Sequence, residues 1–318
     1  MLYLTEDDID RTLTMADAIR AVEAAMLARA RHTAIDVPRE RTRSPLGTLS
    51  ILQGAAPEVG VAGFKAYYAT PHLSRSHTFL YDAERGTPLA ILESNRFNVL
   101  RTGAATGVAA KVLARPDAAV LGQLGAGRIG AGQLEAVCAV RKIREVRVYA
   151  PSRDKLEAYC RTMADRLGIP VLPAASGEAA VRGADIVNVI TRAVAPVLFA
   201  DWLEPGQHVT AAGGNELTRH ELHPDALRRF DVIAADSRDV ARKEGGELLP
   251  LVESGRLQWE ALAEIGEIAA GLKPGRTDPQ QISLYKSHGM ALQDLYVGAR
   301  VLAEARRLGL GHEIPGAY

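Results

Sequence analysis

Three glycines, Gly125, Gly127 and Gly130, punctuate the stretch "VLGQLGAGRIGAGQ". An apolar run leads into them and a helical pattern follows. In that setting each glycine has its own task. Gly125 permits a tight turn, Gly127 lets the backbone approach a pyrophosphate, and Gly130 lets the following helix pack close to the strand. The helix N-terminus offers unpaired N–H groups to phosphate oxygens. The next informative position is the end of the second strand, where an NAD site usually places an acid for the ribose hydroxyls. Here the sequence reads "VYAPSRDK", with Ala150 at that place. Ser152 and Arg153 suit a 2′-phosphate instead, since arginine presents a bidentate fork to phosphate. The expectation is NADP(H) in preference to NAD(H), with NAD(H) possible. Asp154 is the alternative partner for a ribose if the turn runs longer.

The other candidate chemistry is cationic. Arg39 follows a proline in an expected loop, Lys65 sits among apolar neighbours in "GFKAYY", and Arg101 is expected to open a small-residue helix, "LRTGAATG". A lysine in an apolar strand needs a partner. Three cations converging beside a nicotinamide would bind a carboxylate, the arginines through paired hydrogen bonds. Spacing alone leaves a second reading, three unrelated surface charges.

These residues must be positioned by elements that the pattern suggests. Thr14 and Asp17 mark a helix start, followed by Ile19, Val22 and Met26 at helical spacing. "TLSILQG", "VGVAGFKAYY", "SHTFLYD" and "TPLAILES" read as antiparallel strands, with "DAERGTP" as a hairpin turn. After Arg115-Pro116, apolar strands alternate with helical stretches, including "RDKLEAYCRTMADRL" and "RHELHPDALRRF". That alternation argues for a parallel sheet with crossover helices. A last helix, about Met290 to Leu308, is expected to return to the first domain and help cover its sheet. The expected class is α/β: a dinucleotide-binding domain over 117–289, and a discontinuous second domain over 1–116, completed by 290–318.

Composition sets outer bounds. The 318 residues suit about two domains of roughly 100–200 residues. Lys+Arg and Asp+Glu are both 38, so no bulk attraction to nucleic acid or an anionic membrane is expected. The acidic start "MLYLTEDDID" lacks the apolar core of a secretion signal, and the longest apolar run is broken by Lys111. A cytoplasmic protein is expected. Two cysteines, Cys138 and Cys160, make no disulfide framework. His220 and His223 in "HELH" suggest no third ligand, so no metal is expected.

The segments "PRERTR", "FKAYY", "LRTGAATGVAAKVLAR", "LGAGRIGAGQLEA", "AAGGNELTRHELHPDAL" and "SLYKSHGMALQD" occur in this order. In that order the chain resembles the ornithine cyclodeaminase/mu-crystallin family over nearly its whole length. The resemblance implies a Rossmann domain beside a dimerising domain built from both chain ends. It implies oxidation or reduction of the Cα–N bond of a small amino or imino acid, by a homodimer. It places the substrate-carboxylate cations on Arg39, Lys65 and Arg101, with His288 near the substrate. It places cofactor contacts on Thr78, on Gly127 to Ile129, on Thr191 and on Ser287. Two departures follow from the same comparison. The cyclodeaminase's acid/base aspartate falls on Asn215, a neutral amide that orients by hydrogen bonds but cannot exchange a proton at neutral pH. Its ornithine-holding glutamate falls on Ser50. Lys65 is the expected proton-transfer group, since burial beside arginine would lower an ammonium's pKa, and Asn215 is expected to orient the nitrogen. The expected activity is that of an oxidoreductase. The alternatives are a cyclodeaminase-type lyase and a non-catalytic NADPH- or ligand-binding protein of the crystallin kind.

Overall fold

The computed structural model describes residues 1–315. It divides into two compact units, Met1–Ala105 with the described residues from Gly289 on, and Thr106–His288. The expected division at 116/117 differs from the observed one, which falls inside the helix Asn95–Leu113. Its run of alanines and glycines carries the helix through that point without a break, and the turn at Arg115-Pro116 comes only after it.

The first unit is built on a seven-stranded sheet. Its strands are β1 (Leu2–Leu4), β2 (Ile35–Ser44), β3 (Gly47–Ala56), β4 (Val61–Ala69), β5 (Ser74–Asp82) and β6 (Pro88–Glu93), with the short strand His312–Glu313 at one edge. β2 to β6 pair antiparallel in sequence order, while β1 joins β6 in parallel. Gly86, at φ 69, sits in the turn between β5 and β6, where a left-handed residue suits a tight hairpin.

Register decides what faces what. Leu52, Lys65, Thr78 and Leu92 stand side by side across β3 to β6. Two residues along, on the same face, Gly54, Gly63 and Leu80 form a parallel row. The terminal helix Ala291–Leu308 lies on this face. A Cβ added at Gly63 would sit 3.2 Å from Leu295, and one at Gly54 would sit 3.5 Å from Ala291. The bare backbone therefore lets the helix approach the sheet closely. The helix also packs on Met15–Ala30, whose N-cap is Thr14, accepting from Asp17 N–H.

Two expectations about the cations need correction. Arg39 is in strand β2, not a loop; the register shifts between Val37 and Glu40, so Pro38 and Arg39 form a bulge. Proline lacks the ladder N–H and is tolerated there. Arg101 does not open its helix, which begins earlier, at Asn95. The reason is distant in sequence: the Glu6 carboxylate accepts from the Asn95 and Arg96 N–H groups at 2.8 and 2.7 Å. That satisfies two of the orphan donors of a helix start.

The second unit holds an eight-stranded sheet in which every pairing is parallel. Its strands are β7 (Val120–Leu124), β8 (Glu145–Tyr149), β9 (Val171–Pro173), β10 (Ile186–Val189), β11 (His208–Ala211), β12 (Val232–Ala235), β13 (Ala263–Glu264) and β14 (Ser283–Lys286). Their spatial order is β13-β12-β14-β11-β10-β7-β8-β9. Two buried clusters cover the sheet: Val187 and Val189 belong to one, Ile186 and Val146 to the other. Burial on both faces explains why these strands read as continuous apolar runs. The stretch "RHELHPDALRRF" forms only one helical turn, Pro224–Leu227, rather than the longer helix expected. His223 caps that turn, accepting from Asp225 N–H, and Pro224 occupies its first position. Among the described residues no helix is long and apolar enough to cross a membrane.

Candidate functional site

Each unit carries one cluster. In the second unit the chain runs from β7 through β8 to β9, then returns to place β10 on β7's other side. That reversal is a topological switch point, and ligands of open α/β sheets bind beyond the strand ends there. The glycine loop is the first turn at this point. Gly125 has φ 109, and a Cβ on it would meet Ile190 O at 2.2 Å. A Cβ at Gly130 would lie 2.8 Å from Gln123 Nε2 and 3.2 Å from Gly125 O, so the helix packs closely on the strand there. Gly127 is the N-cap of Arg128–Val140, has no side-chain cap, and a Cβ on it would meet nothing within 4 Å. The middle glycine thus borders open space in front of uncapped helix N–H groups, which fits a pyrophosphate. Ile129 is half-buried and Arg128 exposed beside it.

At the end of β8, Ala150 is half-buried and Ser152 is the exposed N-cap of Arg153–Leu167. Arg153 Nε donates to Glu157 Oε1 at 2.5 Å, with both side chains about half exposed. Such a surface pair is worth roughly 0.3–0.5 kcal/mol, so a phosphate can displace it at little cost.

Beyond β10 and β11 lies a buried ionic network that the sequence reading did not find. The Glu221 carboxylate accepts from Thr191 N–H at 2.6 Å, Thr191 Oγ1 at 2.7 Å, and the Gly213 and Gly214 N–H groups at 2.6 and 2.9 Å. Glu247 in turn accepts from the Glu221 and Leu222 N–H groups and pairs with Lys286 at 2.7 Å. Lys286 also donates to Gly214 O at 2.7 Å. Burial pushes the Glu221 carboxyl above its ordinary value, and Lys286 and the Thr191 donors work the other way. Four donors on two oxygens are what the ionised form accepts. The network fixes Thr191 and the Gly213–Gly214 turn that leads to Asn215. Thr191 therefore borders the glycine loop through its methyl, 3.4 Å from a Cβ at Gly125, while its hydroxyl serves Glu221. We expect Glu221→Gln to lower stability by about 2 kcal/mol, because an amide leaves one buried donor facing another. Urea unfolding of wild type and variant would measure it, and an unchanged midpoint would remove Glu221 from this role.

Ser287 and His288 follow β14. Ser287 Oγ donates to Asp236 Oδ2 at 3.1 Å, and His288 N–H donates to the same carboxylate at 3.0 Å. Both residues are buried.

In the first unit the expected cations converge. Lys65 is 3% exposed, and Arg39 and Arg101 are also buried. Lys65 Nζ donates to Asp294 Oδ1 at 2.9 Å and to Asn98 Oδ1 at 3.1 Å. Arg101 Nε faces the same Asp294 oxygen at 3.2 Å, Nη1 donates to Gln293 Oε1 at 3.1 Å and Nη2 to Asn98 Oδ1 at 2.5 Å. A Cβ at Gly289 would lie 3.0 Å from Arg101 Nη1 and 3.5 Å from Arg39 Nη2, so both guanidinium groups gather at that backbone position. Arg39 also lies 6.0 Å from the centre of the Tyr67 ring. Burial, and then the Arg101 charge, push the Lys65 ammonium down to about 7; Asp294 opposes them and Arg39 adds to them. Thr78 stands next to Lys65 in the sheet with its hydroxyl on Ser94 at 2.8 Å, and it has no exposed surface in this structure. Ser50 is buried on the same face.

The sequence reading missed Asn98, Gln293 and Asp294. An acid between Leu292 and Leu295 on an otherwise apolar helix face was the available signal. Lys286 in "SLYKS" carried the same signal as Lys65, a lysine in an apolar strand.

The family model described as ornithine cyclodeaminase/mu-crystallin family matches residues 1–307. The chain belongs to the ornithine cyclodeaminase/mu-crystallin family. Among family relatives, a Δ1-pyrroline-2-carboxylate reductase from Bacillus cereus is 35% identical over 236 residues, 74% of this chain and 72% of that one. The structure of Thermococcus litoralis Δ1-pyrroline-2-carboxylate reductase, in complex with NADH and L-proline, superposes with a TM-score of 0.94 at 29% identity, covering 99% of this chain and 100% of that one. An archaeal alanine dehydrogenase, a dimer with bound NAD, gives a TM-score of 0.93 at 31% identity, covering 99% of each chain. The family fold is thus the one observed, a Rossmann sheet with a second α/β unit.

Proposed function

We infer that the protein is an NAD(P)(H)-dependent oxidoreductase acting at Cα of a small α-imino or α-amino acid. The observation that carries this reading is that buried Lys65 and Arg101 share a single carboxylate oxygen, with Arg39 gathered beside Arg101. Two cations on one acid favour a second anion, and a substrate carboxylate is the anion that an arginine fork suits. Its relatives' names join small amino or imino acids to NAD(H), the same pairing of ligands. Bound along the glycine loop, a nicotinamide dinucleotide supplies or accepts the hydride.

The chain's own residues supply binding and proton transfer. Arg39 and Arg101 hold the carboxylate and fix the orientation of Cα. In the reductive direction the Lys65 ammonium gives its proton to the imine nitrogen, which makes Cα a better hydride acceptor; Lys65 is left neutral and is reprotonated by water. Asn215 is assigned to orienting the nitrogen, since its amide cannot exchange the proton. His288, Ser287, Thr191 and Thr78 keep their assignments at the edges of the substrate and cofactor sites, the last requiring exposure that this structure does not give it. We further assign NADP(H) as the preferred cofactor, with Ser152 and Arg153 on the 2′-phosphate, and a homodimer as the working assembly.

The activity is tested with 2-oxo acids plus ammonia or methylamine, and with cyclic imines, following loss of NADPH and NADH. Ornithine with NAD, scored for proline, tests the lyase. NADPH bound tightly with no turnover on any of them would leave a binding protein. For the cofactor, Arg153→Ala is expected to reduce the NADPH-over-NADH affinity ratio about tenfold. An unchanged ratio removes Arg153 from that role.

A further inference from the structure

The terminal helix places one ionisable side chain under the cations. Asp294 is in its first turn, fully buried, in a run otherwise formed by Ala291, Leu292, Gln293, Leu295 and Tyr296. A buried carboxylate in an apolar helix face is costly unless its charge is used. Here its Oδ1 meets both Lys65 Nζ, at 2.9 Å, and Arg101 Nε, at 3.2 Å. The donors left over are informative. Lys65 uses two of its three N–H groups, on Asp294 and Asn98. Arg101 directs Nε at Asp294 and one N–H of each terminal nitrogen at Gln293 and Asn98, so each terminal nitrogen keeps one N–H. A fork of two guanidinium N–H groups is a donor set for one carboxylate, and the one ammonium N–H left beside it is the proton that the proposed reduction uses.

We propose that Asp294 is the positioning residue of this cluster: it holds Lys65 and Arg101 on one oxygen, leaves that donor set for a bound acid, and keeps the Lys65 ammonium charged before the acid arrives. The proposal rests on the reading that the cluster binds a substrate carboxylate. The charged groups around Lys65 are Arg101 from the helix Asn95–Leu113, Asp294 from the terminal helix and Arg39 from β2. Its remaining polar neighbours, Asn98 and Thr78, are neutral. Asp294 is thus the one negative charge among them, set against two guanidinium groups.

The test follows Lys65 directly, by NMR of isotope-labelled lysine in the full-length protein, with Lys65→Met to assign the signal. In Asp294→Asn the Lys65 titration is expected to move to lower pH by about one unit or more. KM for an acid such as Δ1-pyrroline-2-carboxylate should rise about tenfold, and the alkaline limb of the pH–rate profile should shift with the titration. A titration unchanged in Asp294→Asn overturns the proposal. If that variant does not fold, Asp294→Glu replaces it. Its carboxylate is kept but displaced by one methylene, so the titration should stay near that of wild type while KM rises. Unchanged KM together with unchanged titration overturns the proposal in that variant. A shifted titration in Asp294→Asn, combined with full imino-acid turnover by Arg101→Ala, leaves the hold of Asp294 on Lys65 standing and instead removes the carboxylate-anchor reading.

Discussion

Replacing Arg101 with alanine is expected to lower kcat/KM for the acid substrate about a thousandfold. Each charge-assisted hydrogen bond to a buried carboxylate contributes about 2 kcal/mol, and the fork supplies two. At 1.4 kcal/mol per tenfold, that is close to three orders of magnitude. Most of the loss should appear in KM, since the fork is made in both ground and transition states, with a smaller part in kcat from a poorly aimed Cα. Arg101→Lys should recover only part of it, because an ammonium cannot present two parallel donors. The same change leaves the Gln293 and Asn98 oxygens short of a donor and Asp294 short of a cation. A fall in thermal stability is therefore expected too, and kinetics should be measured well below the variant's melting temperature. Binding of NADH or NADPH, which this reading assigns to the other unit, serves as the control and should change less than about threefold. Turnover within a factor of five of wild type would mean that Arg101 does not hold the substrate.

Lys65 should show an effect of similar size with a different signature. Lys65→Met is expected to reduce reductive turnover by about 10²–10⁴-fold, the range for loss of a positioned proton donor. In the wild-type enzyme the sign of the pH dependence follows from the lowered value, about 7. Below it the ammonium is charged, attracts the carboxylate and carries the proton. Above it both functions fade, so kcat/KM for imine reduction should fall about tenfold per pH unit. A bound carboxylate favours the charged form, so kcat should break at a higher pH than kcat/KM. Amine oxidation needs the neutral form and should instead gain rate as pH rises. Stability runs opposite to the reductive activity. Between about 7 and the unfolded-chain value of about 10.4, the unfolded state binds a proton that the folded state does not, so Lys65 favours folding increasingly as pH rises. Loss of reductive activity at pH 8–9 with an undiminished melting temperature would therefore be titration and not unfolding. A flat reductive profile from pH 6 to 9 would exclude Lys65 as the donor.

The glycine loop was legible because its reasons are local. A turn at Gly125, an uncapped helix start at Gly127 and tight packing at Gly130 all arise within six residues of one strand–helix unit. The alternation of strands and helices announced a parallel sheet for the same reason: period and burial are written along each element. Lys65 was legible as a lysine in need of a partner, and the partner was not. Asp294 lies 229 positions away, and only the antiparallel register and the bare backbone at Gly54 and Gly63 bring its helix within reach. Arg39 looked like a loop residue because the bulge that buries it depends on how β2 pairs with β3. Arg101 looked like the start of a helix because the carboxylate that starts it earlier belongs to Glu6, 89 positions before Asn95. The Glu221 network is likewise assembled from the ends of separate strands and a connecting segment. By itself, then, the sequence determined the kind of most elements and the glycine turn, and it marked the cations as candidates. The tertiary structure alone decided which neutral and acidic groups surround those cations, because burial and charge pairing are properties of the packed chain and not of any one segment.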